Sequence, residues 1–113
     1  MKFLLTKKDI ISLNKEFDEG HLHNESSLDF ALDYASKTSN WTKALAYLTR
    51  AILIDHVFEE GNKRTVALLI KTTAEHEGHL TYDDKVVRLI IEILKRNLTR
   101  INEIEEMIKD AIK

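Results

Sequence analysis

The run His56-Val57-Phe58-Glu59-Glu60-Gly61-Asn62-Lys63-Arg64-Thr65 concentrates the residue types that do chemistry in this chain. An imidazole titrates near neutral pH and can take a proton from an attacking hydroxyl, so His56 suits a general base. Glu60 offers a hard oxygen ligand, and magnesium is usually held by one or two carboxylates plus substrate phosphates. Gly61 and Asn62 stand where an apolar helical run begins. Free N–H groups and the positive end of a helix dipole there form an anion site, well suited to phosphate. Lys63 and Arg64 then put two cations in a first helical turn, where the dipole alone disfavours them. They make sense if an anion sits among them. Phe58 is expected to turn inward and anchor the loop. Base, metal ligand, phosphate cradle and cationic clamp are the parts of a phosphoryl-type transfer.

Each residue also has a plainer reading. His56 could be a helix C-cap satisfied by carbonyls and the dipole. Lys63 and Arg64 could be ordinary surface charges, and Phe58 belongs in the core either way. The company of Glu60, Asn62 and Arg64 is what favours chemistry at His56.

The elements around this run read as helices. Proline is absent, and Gly20, Gly61 and Gly78 punctuate the chain. Thr6 with Asp9 resembles a capping box opening a first helix, on which Ile10, Leu13 and Phe17 share a face. A loop or short hairpin is expected around Gly20. A second helix follows Asn24, with Leu28, Ala31, Leu32 and Ala35 inward. Ser39 or Asn40 caps a third, from Trp41 to about Asp55, apolar nearly all round and therefore central. A fourth starts near Asn62, carries the Val66–Ile70 run and stops at Gly78. Thr81 with Asp84 predicts another capping box and a fifth helix bearing Val86, Leu89, Ile90, Ile93 and Leu94. Ile101, Ile104, Ile108 and Ala111 stripe a sixth. The expectation is an all-α, single-domain bundle over residues 1–113, with two central, buried helices flanking the chemistry-bearing loop.

That loop resembles the Fic/Doc signature, His-x-Phe-x-(Asp/Glu)-(Gly/Ala)-Asn-(Gly/Lys)-Arg, and matches it at every specified place. A looser similarity runs from about Ile10 to Tyr82. The resemblance implies a six-helix Fic/Doc-like fold and magnesium-dependent transfer from ATP, or another nucleoside triphosphate, to a protein hydroxyl. By it His56 is the base, Glu60 holds magnesium, and Asn62 helps form the anion hole. Lys63 and Arg64 hold nucleotide phosphates, and the loop near Gly20 is the flap that pins the target segment. AMP-transferring members typically have proline, glycine and a second arginine where this chain has Val57, Lys63 and Ala67. Those departures, with Thr65, resemble the phosphorylating Doc toxins, whose run looks like His-Ile-Phe-x-Asp-Ala-Asn-Lys-Arg-Thr; Gly61 agrees instead with Fic. The lean is to phosphate over AMP. For Doc-like members the resemblance implies a translation elongation factor as target and a small antitoxin as partner. Thr73, Glu77 and Gly78 happen to fit the Fic inhibitory pattern, but at the end of a helix, where such an element is not expected.

Two other readings compete. Arg50 and His56 fit the Arg-x(4–6)-His spacing of the HEPN ribonucleases, a short pattern that recurs by chance. A non-catalytic helical binding module is the third. Composition narrows the field. Without cysteine there are no disulfides and no thiolate zinc sites, which fits a reducing cytoplasm. A net charge of −2 with mixed signs argues against a dedicated nucleic-acid binder; Lys95, Arg96 and Arg100 read as a solvated face. The stretch from Met1 to Asp9 is too short and charged for a signal peptide, and no apolar run spans a membrane. His21, His23, His76 and His79 read as exposed histidines rather than a zinc site.

Overall fold

A computed structural model of the chain describes residues 5–113. Met1 to Leu4, part of the N-terminal stretch read above, lie outside the described residues. Among the described residues are six helices and no strand: α1 (Lys7–Asn14), α2 (Glu25–Lys37), α3 (Trp41–Ile54), α4 (Asn62–His76), α5 (Asp83–Arg96) and α6 (Ile101–Asp110). None is long and apolar enough to cross a membrane.

Local chemistry sets most of the helix starts. Thr6 and Asp9 form the expected capping box on α1. Asn24 accepts from the Ser27 N–H at the start of α2, and Asn40 from the N–H groups of Thr42 and Lys43 at the start of α3. The expected box at Thr81 and Asp84 does not form. Thr81 is drawn into an antiparallel bridge with Ile112, its hydroxyl turns to Asp83, and α5 starts at Asp83 with Tyr82 as an N-cap lacking a side-chain bond.

The helix that is apolar on nearly every side is the one the others surround. α3 packs against α2, α4, α5 and α6, burying Leu45, Ala46, Leu48, Ala51, Ile52 and Leu53. α4 buries Val66, Leu69, Ile70 and Ala74, while Lys63, Arg64 and Lys71 on its other side are exposed. On α6, Ile104 and Ile108 are fully buried, and Glu105 accepts a 2.6 Å hydrogen bond from the Thr42 hydroxyl of α3. A buried carboxylate needs such a partner.

Of the loop or short hairpin expected near Gly20, the structure has the loop. An isolated two-stranded ribbon is marginal in water, and the segment pairs instead with the α3–α4 connection. Leu22 bridges Phe58 antiparallel; the Glu59 N–H donates to His21 O at 3.0 Å, and the His23 and Asn24 N–H groups donate to Val57 O at 2.7 and 3.1 Å. Phe17 also departs from expectation. It lies past the end of α1 and is 41% exposed instead of joining Ile10 in the core.

The connection is pinned from the inside by Phe58, which is fully buried with Val57 beside it. Truncating such a side chain removes transfer free energy and leaves a cavity between α3 and α4. Phe58→Ala is expected to cost about 3–5 kcal/mol, a large share of the ~5–15 kcal/mol typical of a whole domain. The urea unfolding midpoint would measure it.

Candidate functional site

His56 sits between two immobilised residues. Before it, Asp55 caps α3, its carbonyl accepting from Asn24 Nδ2 at 3.1 Å and its carboxylate from the Ser27 hydroxyl. After it, Val57 is buried, and its carbonyl takes the two N–H groups from the Gly20–Asn24 arm. Between these anchors His56 is forced into the left-handed region at φ +52°, with its imidazole exposed. A non-glycine residue there stores roughly 1 kcal/mol or more, and strain of this kind gathers at functional positions.

The next turn is closed by Asn62. Its Oδ1 accepts from the Phe58 N–H at 3.0 Å and its Nδ2 donates to the Phe58 carbonyl at 2.9 Å. The Asn62 amide therefore holds the loop together, and what this residue can offer an anion is its main-chain N–H. Gly61, the N-cap of α4, is left-handed at φ +79° and supplies no capping side chain. A Cβ on it would lie 3.0 Å from Asn14 Nδ2 and 3.5 Å from Asp18 Cβ, so only glycine fits without strain.

Behind the turn lies a residue that sequence reading passed over. Asn14, at the end of α1, is 1% exposed. Its Nδ2 donates to Glu60 O at 2.9 Å and to Thr65 Oγ1 at 3.0 Å, while its Oδ1 accepts from the Gly20 N–H at 2.8 Å. Thr65 in turn donates its hydroxyl to Gly61 O at 2.7 Å. The available signal was a polar side chain one turn beyond Ile10, on the inward face, where an unpaired amide would be costly.

In front of the turn opens a cleft of about 570 Å³. His56, Glu60, Gly61, Asn62, Lys63 and Arg64 all line it, with Leu53 and Leu94 as apolar wall and Phe17 and Asp18 contributed by the segment after α1. The residues of the run singled out for phosphoryl-type transfer thus meet in one cavity, while Phe58 is turned into the core behind them as expected. Asp18 and Phe17 were not anticipated there; their position depends on how the α1–α2 connection folds back. Lys63 and Arg64 are exposed, and neither is held in an ion pair among the described residues. Among those residues no three His, Cys, Asp or Glu side chains cluster to hold a metal. A magnesium ion here would lean on Glu60, with Asp18 in the same cleft, and complete its shell with substrate oxygens and water.

The competing features fall elsewhere. Arg50 donates to Thr99 O at 3.1 Å, stands 5.7 Å over the Tyr47 ring, and lines a different pocket from His56. Glu77 caps the far end of α4, about 24 Å from Gly61 by helical rise. The four noted histidines form no metal-holding group among the described residues.

The two left-handed positions predict opposite responses to substitution. Gly61→Ala should lose about 1–3 kcal/mol from backbone strain and the tight approach to Asn14. His56→Gly relieves strain and should melt no lower than the wild type, against the roughly 0.5–1 kcal/mol that a glycine otherwise costs. Thermal melting of both variants, compared with His56→Ala, measures this; a clear loss at His56→Gly would mean the imidazole is there for stability. In comparison with known proteins, the chain matches no family model, no curated protein and no solved structure.

Proposed function

We propose that this protein transfers a phosphate, or alternatively a nucleotide, from a magnesium-bound nucleoside triphosphate to a hydroxyl of a target protein. One observation carries the reading: an exposed imidazole, a carboxylate, a helix N-terminus without a side-chain cap and two cations with no ion pair among the described residues line a single cleft. The likeness of His56–Arg64 to the Fic/Doc signature points the same way.

In this reading His56 takes the proton of the acceptor hydroxyl as its oxygen attacks phosphorus. For phosphate transfer the attack is on the γ-phosphorus and the nucleoside diphosphate leaves; for nucleotide transfer it is on the α-phosphorus and pyrophosphate leaves. Magnesium, held by Glu60, would neutralise charge on the phosphate oxygens. The N–H groups at the start of α4, with Lys63 and Arg64, receive the phosphates. The Gly20–Asn24 arm lies against the loop that carries His56, which suits it to present the acceptor segment. Lys63 favours phosphate transfer, since a long cation where AMP-transferring relatives of the motif have glycine changes how a triphosphate can lie. An elongation factor as target and an antitoxin as partner belong to the same proposal and rest on the likeness to Doc alone.

Purified protein, magnesium and a cell extract, with ATP labelled in parallel at the α- or γ-phosphate, test the reading. Label on an extract protein from γ-labelled ATP alone is the expected result, falling about 100-fold or more in His56→Ala and in Glu60→Gln. Label from the α-position alone means nucleotide transfer. If neither label is transferred, and both variants behave as the wild type, the proposal is wrong.

A further inference from the structure

The turn between α3 and α4 holds its carbonyls on one side. Glu60 O accepts from Asn14 Nδ2 at 2.9 Å, and Gly61 O accepts from the Thr65 hydroxyl at 2.7 Å and the Thr65 N–H at 2.9 Å. Asn14 and Thr65 are both buried and joined to each other at 3.0 Å, so the two side chains act as one unit behind the loop. In a trans peptide the N–H points opposite to the carbonyl of the same unit. With the carbonyls of Glu60 and Gly61 turned inward, the N–H groups of Gly61 and Asn62 turn outward, on the side where both residues line the cleft. Gly61 has no Cβ, so its own backbone does little to resist a peptide flip that would turn a carbonyl toward the cleft.

We infer that Asn14 and Thr65 are positioning residues that lock these two peptides so that their N–H groups face the phosphate. Neither touches substrate. The third bond of Asn14, to the Gly20 N–H at 2.8 Å, ties the same lock to the arm that pairs with Val57 and Glu59. A shift in that arm therefore reaches the anion hole through one side chain. The inference rests on the proposed phosphate site and specifies what orients it.

The test uses magnesium–tripolyphosphate beside magnesium–ATP, so that the phosphate chain is read apart from the nucleobase. In the wild type, the amide resonances of Gly61 and Asn62 should move most when tripolyphosphate is added to labelled protein with magnesium present. Thr65→Val, nearly isosteric, and Asn14→Asp, which keeps the acceptor for Gly20 but loses the donor to Glu60, should each weaken both ligands about tenfold. Thr65→Ser restores the hydroxyl and should bind as the wild type. Folded Thr65→Val and Asn14→Asp proteins that bind both ligands with wild-type affinity would overturn the inference while leaving the phosphate site intact. So would ligand-induced shifts that bypass Gly61 and Asn62 in the wild type, a result that needs no variant to fold. A wild-type protein that binds neither anion overturns the proposed function and this inference together.

Discussion

The structure depends on a polar connection, exposed at His56, Glu59 and Glu60, being anchored to an apolar core by Val57 and Phe58. Between α3 and α4 the main chain passes against the buried side chains of Val57 and Phe58, and the polar groups it carries there must be paired or face water. Three devices do this. The arm after α1 lends N–H groups to Val57 O and a carbonyl to the Glu59 N–H. Asn62 folds back on both polar groups of Phe58. Asn14 and Thr65 take the carbonyls of Glu60 and Gly61. The groups on the outer side of the turn are then free to face the cleft.

This arrangement explains why the surrounding helices have the composition they do. α3 must be apolar on nearly every side because four other helices pack on it. α4 can be apolar on one side only, since its opposite side begins at the cleft with Lys63 and Arg64. The short α1 is not merely a cover. It ends on Asn14, and that residue reaches the arm, the turn and α4 together.

Periodicity and capping chemistry are local, and the sequence was legible where they decide the outcome. The capping box at Thr6, the start of a helix after Asn24, the cap of α3 expected at Ser39 or Asn40 and found at Asn40, and the stripe on α6 follow from neighbours within one or two turns. That the chemistry-bearing residues of the 56–64 run share one cleft was legible too, because they lie close in sequence and the fold needs only to bend them around a single turn. What could not be read depends on contacts distant in sequence. Phe17 has the spacing of a core residue, but the chain turns after Asn14 and leaves it at the cleft. Thr81 has the pattern of a cap, but its neighbours pair with the C-terminal residues, Tyr82 N–H donating to Ala111 O and Lys113 N–H to Leu80 O. Asn14 carries no motif; its partners are 46 and 51 residues away.

The charge pattern of the cleft bears on how a triphosphate would be held. Lys63 and Arg64 are offset there by Asp18 and Glu60, so the lining carries no net cationic excess. A bare triphosphate would bring its charge beside two carboxylates, and two cations could not neutralise both. A divalent cation between carboxylate and phosphate converts that repulsion into bridging, and the bound ion becomes the largest local charge. On the proposed reading, then, the metal complex of the nucleotide is the form whose charge the cleft can match. On the same reading, Lys63 and Arg64, on the first turn of α4, would serve the phosphate oxygens that the ion leaves uncovered, and the N–H groups of Gly61 and Asn62 would add the directionality that side-chain charge lacks. Charge would then select the anion, while the buried amide and hydroxyl behind the turn would set where its phosphorus stands relative to His56.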